Sequence, residues 1–409
     1  MNEAPLNYLQ NYVLEQQEAH PGTSMFNLAK MFRLKKGIDL ERLADALAKA
    51  GRSHQALLSV LHRFPGGEVL QMQGLDEDEI QVEIVRVSER NLLARRMSYV
   101  KTFNTFDEGL VDAIVFDCGE NSYLLSNIHH LVCDGYSFPL ILEDARRAWF
   151  GETLECDRYY EVLAKRVARS ELPISVATRD FMREMLRSGT YTSLPAEDVR
   201  GPLGYGSFET ELELPDDFEK IIAEHRATRH HVFLAAAVKA LSQQAIGQNL
   251  LVDWVFHGRI SKDELKTVGA FMVDIPLVVE DASNHLGDDL LSLIKHGTYR
   301  GIKCVNAFRR MDDCNPTGKE RLTFIYQDKW GELMSPGVVD PEGPYAWMIE
   351  ETIPLCAPRM AAENPFNVEI MEHKDGTHLL IEYDNGRYSE KAVREYADCY
   401  KNAVAWLLK

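Results

Sequence analysis

The sequence has no pair of cysteines at CxxC spacing. Its seven cysteines, at 118, 133, 156, 304, 314, 356 and 399, are scattered and odd in number. They read as free thiols in a reducing compartment, which argues against a disulfide framework and against a cysteine zinc site. Long hydrophobic runs are missing as well. The longest, such as His231–Leu241, fall far short of the ~20 apolar residues a membrane helix needs. The opening MNEAPLNYLQNYVLEQQ has neither a basic start nor an apolar h-region, so it does not read as a secretory signal. A cytoplasmic chain outside any membrane is the expectation. Basic residues are in deficit, 45 Lys and Arg against 63 Asp and Glu, for a net charge of −18. That disfavours nucleic acid as a partner, because phosphate neutralisation needs clustered cations. The charge reads as a solubility feature. No low-complexity tract or disordered tail is evident.

What is present is the composition of a folded protein: 45% hydrophobic, 9% aromatic and 26% charged over 409 residues. That length exceeds one ordinary core and points to two or three domains. Leu40–Ala50 repeats apolar positions at helical spacing, with Gly51 as a stop. Val69–Gln73 and Ile80–Val85 alternate as strands do. Val111–Phe116 and Tyr123–Ile128 are short β-branched runs separated by the turn-rich Asp117–Ser122, and the second leads straight into His129 and His130. Helical periodicity resumes over Leu140–Phe150. After a charged helical stretch with breakers at Ser188-Gly189 and Leu194–Gly206, a second cycle begins. Phe208–Leu214 is strand-like, Phe218–His225 and Val232–Gln244 are helical, and Leu250–Phe256 is a strand. Strands follow at Leu322–Gln327, Asn367–Ile370 and His378–Tyr383, and Ser389–Leu408 forms the last helix. This reads as α+β, in two halves of similar size: 1–175, carrying HHLVCDG, and 176–409, carrying HGR.

A histidine pair at a strand's C-terminal end, followed by Asp134-Gly135, has a chemical logic. A catalytic imidazole must be held in one orientation and tautomer on rigid structure beside a cavity. Glycine permits backbone geometry that a side chain would forbid. An aspartate in such a turn is either a base orienter or half of a buried ion pair, completed by an arginine far away in sequence.

HHLVCDG matches the HHxxxDG motif, and the surrounding NSYLLSNIHHLVCDGYSFPLILEDARRAWFGE carries the same likeness throughout. So do RSHQALLSVLHRFPGGEVLQMQ and FDEGLVDAIVF upstream, and VFHGRISKDELKTVGAFMVDIPLVV and FNVEIMEHKDGTHLLIEYDNGRYSEKAVREY downstream. The chain thereby resembles the condensation domains of nonribosomal peptide synthetases, within the chloramphenicol-acetyltransferase-like acyltransferase superfamily. The resemblance implies two chloramphenicol-acetyltransferase-like subdomains in a V-shaped pseudo-dimer with a central active-site tunnel. It implies that His130 is the catalytic histidine facing the acceptor and that His129 is structural. Asp134 is implied to pair with Arg259 in a site-shaping salt bridge, and Gly135 to present backbone near the reacting carbonyl. Lys262–Phe271 would cross between the halves, and Met334–Pro344 would lie near a second crossover.

Tyr136, Ser137, Val273, Asp274, Tyr326 and Gln327 are the tunnel-lining candidates, with Trp330 beside the last two. Ser137 either lines the site or caps the following helix. Core packing is an equal reading for Tyr326 and Gln327, and Asp274 either meets a cationic acceptor or points away. The chain departs from the family pattern at Tyr136, usually Trp, and at Ser53 and Leu58, where arginines are usual. It departs again at Val273 and Asp274, usually Asn-Thr. Cys133 is not expected to be a nucleophile, because the family transfers acyl groups without an acyl-enzyme, and His230-His231, with no following Asp-Gly, is expected to be structural.

The implied activity is amide formation between a carrier-protein-bound acyl or aminoacyl thioester and an amine acceptor, in nonribosomal peptide and natural-product biosynthesis. No metal or resident cofactor is implied; the phosphopantetheine arm belongs to acyl or peptidyl carrier proteins, as donor and in some systems also acceptor. A small-molecule amine is the other acceptor class, and a monomer is expected. The alternatives are a free-standing acyltransferase making an ester or amide from acyl-CoA or an acyl carrier, and a non-catalytic recruitment module. The intact histidine motif argues against the module and against a cyclisation domain. Val255, two residues before HGR, argues against an epimerisation domain.

Overall fold

The computed structural model describes residues 3–176, 178–180, 183, 191–244, 249–285, 287–308, 320–327, 333, 337–355, 364–374 and 376–408. They fall into two compact units. Unit 1 comprises Met1–Arg169, His257–Met272 and Glu332–Ala357; unit 2 comprises Ser170–Phe256, Val273–Gly331 and Pro358–Lys409. A single cut at 175/176 does not describe this division. The HGR loop packs in unit 1, and so does Ile349–Ile353, because it pairs antiparallel with Asn27–Leu34.

Unit 1 is built on a six-stranded sheet in the order Gly337–Val338, Ile349–Ile353, Asn27–Leu34, Ser122–His129, Val111–Asp117, Glu83–Arg86. Helix Ser137–Trp149 packs on one face, with Phe138 stacked on Phe32 at 6.0 Å between ring centroids. Helix Glu89–Arg95 covers the other face through Leu92, against Met31, Phe116 and Leu125. The helix beginning at Leu40 is started by Asp39, whose side chain accepts the Arg42 N–H, and it carries Glu41 in its first turn and Lys49 and Arg52 in its last. It does not stop at Gly51 but runs to Arg52. Glycine is needed there for room: a Cβ would lie 2.8 Å from Ile80 Cγ2. Similarly, the Ile80–Val85 strand is confined to Glu83–Arg86.

Unit 2 has its own six-stranded sheet, in the order Val273–Val279, Leu250–Phe256, Leu322–Gln327, Phe366–Glu372, Thr377–Tyr383, Gly206–Leu212. Leu322–Gln327 runs parallel to both neighbours, and the other pairings are antiparallel. Helices Arg229–Gln244, Gly287–Phe308 and Glu390–Leu407 contribute to the core on one face. Val232 to Val238 are all buried, and the hydroxyls of Tyr396 and Tyr400 donate to the carbonyls of Ala237 (3.1 Å) and Phe233 (2.8 Å). His230 and His231 start this helix, and burial holds His230 down at about 3, with His231 adding to the effect.

One histidine of unit 1 gave no signal in the sequence. His54 is 3% exposed, with Asp157 Oδ2 3.2 Å from Nδ1 and Asp144 Oδ2 3.4 Å from Nε2. Burial by itself would lower its pKa, but the two carboxylates outweigh burial and raise it. A raised folded value means that its stabilisation is complete below the unfolded value near ~6.5 and is lost as pH rises through the folded value. Accordingly, His54→Asn should lower the melting temperature more at about pH 6 than at about pH 9. Thermal melts of both proteins at the two pH values check this; an equal deficit at both would contradict a charged His54.

Candidate active site

The strand Ser122–His129 ends at the motif, and the sheet ladder extends one step beyond it. Asn27 pairs with His129, and the His130 N–H donates to Phe26 O at 2.8 Å. The turn is held by the Val132 N–H to His129 O (3.0 Å) and by Gln10, whose side-chain amide donates to Leu131 O at 2.8 Å. His130 is thus fixed to rigid structure while staying half-exposed.

His129 differs from it in kind. It is 1% exposed, between Phe26 and Phe103. Its Nδ1 accepts the Leu131 N–H at 3.2 Å, which leaves the proton on Nε2, 3.3 Å from Gln17 Oε1. Burial, with His130 adding to it, holds the ring down at about 3, so His129 is neutral at any ordinary pH. Both nitrogens are occupied in holding the turn.

Asp134 has no exposed surface. Arg259 meets it in a fork, Nη1 to Oδ2 at 2.8 Å and Nη2 to Oδ1 at 3.1 Å. The remaining lone pairs accept the Ser137 N–H (2.9 Å) and hydroxyl (2.8 Å) on one oxygen, and the N–H groups of Phe271 (2.9 Å) and Met272 (3.2 Å) on the other. Burial pushes this carboxyl up, but the Arg259 charge and these donors outweigh it and hold it below the ordinary value. Arg259 spends its other donors on the carbonyls of Glu264 (3.1 Å) and His257 (3.1 Å). Its guanidinium lies 4.5 Å from the Tyr136 ring centroid and 4.8 Å from that of Phe271. Ser137 therefore belongs to this network, and it opens the following helix from within it.

A second buried pair supports the first. Arg166 donates to the carbonyls of Gly258 (2.6 Å) and Phe271 (2.7 Å) and lies 3.4 Å from Glu264, which also accepts the N–H groups of Ile260 (2.8 Å) and Ser261 (2.9 Å). Burial lowers Arg166 to about 10. The loop 257–272 is thereby closed on itself, and Gly258 is the tight point. Its φ is +72°, and a Cβ would fall 1.8 Å from Phe271 O. The left-handed glycine of the site is Gly258 and not Gly135, which is absent from the positive-φ glycines.

Other candidates fall elsewhere. Val273 is 4% exposed in the core of unit 2, so it does not form a wall beside Asp274. Alternation along Val273–Val279 turns Val273, Ile275 and Leu277 toward the helices and Asp274 the other way. Tyr326 packs against the same core, its hydroxyl 3.2 Å from Glu372, whereas Gln327 alternates to the opposite face. Trp330 and Ser188-Gly189 lie outside the described residues. Cys133 is fully buried, and burial raises its thiol well above the ordinary value, which leaves it unfit as a nucleophile. A cavity of about 270 Å³ within unit 1 is bounded by Leu47, Ile80, Leu124, Ile128, Phe138 and Ile141 among others, and its lining does not include His130. Among the described residues no group of three or more His, Cys, Asp or Glu side chains is placed to hold a metal ion.

A family model described as Condensation domain matches residues 1–299. The chain is similar to tyrocidine synthase 3 of Brevibacillus parabrevis, 25% identical over 294 residues that cover 65% of this chain and 4% of that protein. It is similar also to tyrocidine synthase 2 of the same organism, 20% identical over 349 residues that cover 81% of this chain and 10% of that protein. The chain thus spans a small part of the length of these curated relatives. Among solved structures it is similar to the condensation domain from the monacolin K polyketide synthase, with a TM-score of 0.81 and 16% identity, covering 99% of this chain and 97% of that one. The X-domain from teicoplanin biosynthesis has a TM-score of 0.76 at 14% identity, covering 99% and 94%. These likenesses show the fold.

Removing either partner of the Asp134–Arg259 pair strands a buried charge. Asp134→Ala and Arg259→Met should each cost about 3–5 kcal/mol in urea unfolding, and the double variant less than their sum. A depressed carboxyl stabilises fully above its unfolded value of about 3.9 and loses that contribution as pH falls through the folded value. The stability gap between wild type and Asp134→Ala should therefore be full near neutrality and narrow only in acid, below the ordinary carboxylate range. Equal unfolding midpoints at neutral pH would contradict the pairing energetics.

Proposed function

The chain belongs to the condensation domain family, and on that footing we propose that it is an acyltransferase that joins a carrier-protein-bound acyl or aminoacyl thioester to an amine, with His130 as its catalytic histidine. The observation that carries the reading is the division of labour between the two adjacent histidines. His129 is buried, neutral and engaged on both nitrogens, whereas His130 is only partly buried, on a backbone pinned by Phe26.

In the reaction the amine nitrogen bonds to the thioester carbonyl carbon, the C–S bond breaks, and the proton lost by nitrogen ends on the phosphopantetheine thiol. His130 serves either as the base that takes this proton or as the group that holds the amine and the tetrahedral intermediate in place; general-base help of this kind is worth roughly 10²–10⁴-fold. Asp134 and Arg259 are positioning residues. Their forked pair fixes the turn that follows His130, and neither charge is left free for proton transfer. The carriers are partners of the chain, and the pantetheine arm enters as substrate.

With an acyl-carrier thioester and an amine, His130→Ala should lower transfer by at least ~10²-fold while its melting temperature stays that of wild type. Undiminished turnover by the variant would overturn the assignment. The same acyl group presented as its CoA thioester should be the poorer donor; a CoA preference would replace the carrier with a free thioester.

A further inference from the structure

In a sheet with helices on one face, alternating side chains form a second face of different composition. The helix-covered face of unit 2 takes Val252, Trp254, Ile275, Phe324, Val368 and Ile381. The opposite face is polar along one line. Strand pairing sets Asp253 against Thr323, Thr323 against Asn367, and Asn367 against Glu382, a row of hydrogen-bonding side chains across four neighbouring strands. Asp253, Thr323 and Asn367 are only 7%, 5% and 3% exposed.

Buried polar atoms ordinarily have hydrogen-bond partners. In this row the Oδ1 of Asp253 and the Oδ1 of Asn367 have none. Asp253 meets Arg321 with its other oxygen, Oδ2 to Nε at 2.7 Å. Asp274, on the same face of the adjoining strand, reaches solvent and adds a second carboxylate close enough to influence Asp253. Burial, opposed by Arg321 and reinforced by Asp274, pushes the Asp253 carboxyl up to about 7. Asp253 and Asp274 thus set two carboxyl groups beside the Arg321 guanidinium. Two open acceptor oxygens beside these carboxyl groups are complementary to a group that brings several N–H donors and positive charge. An apolar or anionic group would leave both oxygens stranded.

Resting on the condensation reading above, we infer that Asp253, Asn367 and Asp274 form a subsite for a protonated nitrogen group, ammonium or guanidinium, carried by a substrate. Asp253 and Asn367 supply the acceptors, and Asp274 supplies charge at the solvent side. Arg321 holds Asp253 in place.

Calorimetric titration of the full chain at pH 8 and low ionic strength tests this, with n-butylammonium and n-butylguanidinium as probes and n-butanol as the neutral control. Wild type should bind one of the cations at least ~10-fold more tightly than butanol. Asp253→Asn and Asn367→Leu should abolish that preference, Asp274→Asn should weaken it severalfold, and His130→Ala should leave it intact. Equal binding of cations and butanol, or undiminished cation binding by Asp253→Asn, would overturn the subsite. If the buried variants melt early, the solvent-reaching Asp274→Asn decides alone: unchanged cation preference overturns the inference. Turnover is scored separately with a simple monoamine acceptor. Turnover without cation preference sinks the subsite and leaves condensation standing; cation binding lost in Asp253→Asn but without any turnover does the reverse.

Discussion

A carboxylate with no exposed surface stays ionised only when every lone pair is met. Asp134 meets that condition through Arg259, Ser137 and the main chain of Phe271 and Met272, and much of unit 1 is arranged around the result. The pair draws the loop after Leu250–Phe256 onto the histidine turn. Having been drawn in, the loop must close on itself, which places Gly258 in the left-handed region and requires Arg166 to cap two carbonyls that would otherwise be buried without donors. Arg166 in turn requires Glu264. One ion pair therefore entails a second, and the aromatic rings of Tyr136 and Phe271 enclose the first.

Adjacent residues of identical chemistry are given opposite characters by this arrangement. His129 faces the interior, where its ring acts as a spacer and hydrogen-bond bridge. His130, one residue on, is only partly buried, on a backbone that cannot shift without breaking a sheet bond. Cys133 shows the same principle: its position within the motif suggests reactivity, and full burial denies it.

How much of this was legible in the sequence depended on how local the cause was. Val69–Gln73, Leu250–Phe256 and Leu322–Gln327 are strands over the residues their apolar patterns indicate, and the histidines stand at a strand end as expected. Gly51 was misread because its role is room for Ile80, a partner that helical spacing does not reveal. Val273 and Tyr326 fall on the core side because period-two alternation along their strands decides the face; a likeness between segments does not specify it. Arg166 and Glu264 lie 264 − 166 = 98 residues apart, and neither carried any local mark. His54 likewise depends on carboxylates brought to it by folding. The compact units are discontinuous in the chain for the same reason, since sheet pairing and the Arg259 pair ignore chain order.

That discontinuity bears on how the chain emerges from the ribosome. Arg33 must wait for Glu351, 351 − 33 = 318 residues later, before its strand gains its outer neighbour. At ~5–20 residues per second this is roughly a quarter of a minute to a minute. Asp134 waits 259 − 134 = 125 residues for its guanidinium, or roughly 6–25 s at the same rates. Throughout that interval the nascent first unit presents an open sheet edge and a carboxylate that has to remain hydrated or protonated. The unit cannot finish folding as it is made, and its completion is deferred until most of the second unit has also been synthesised.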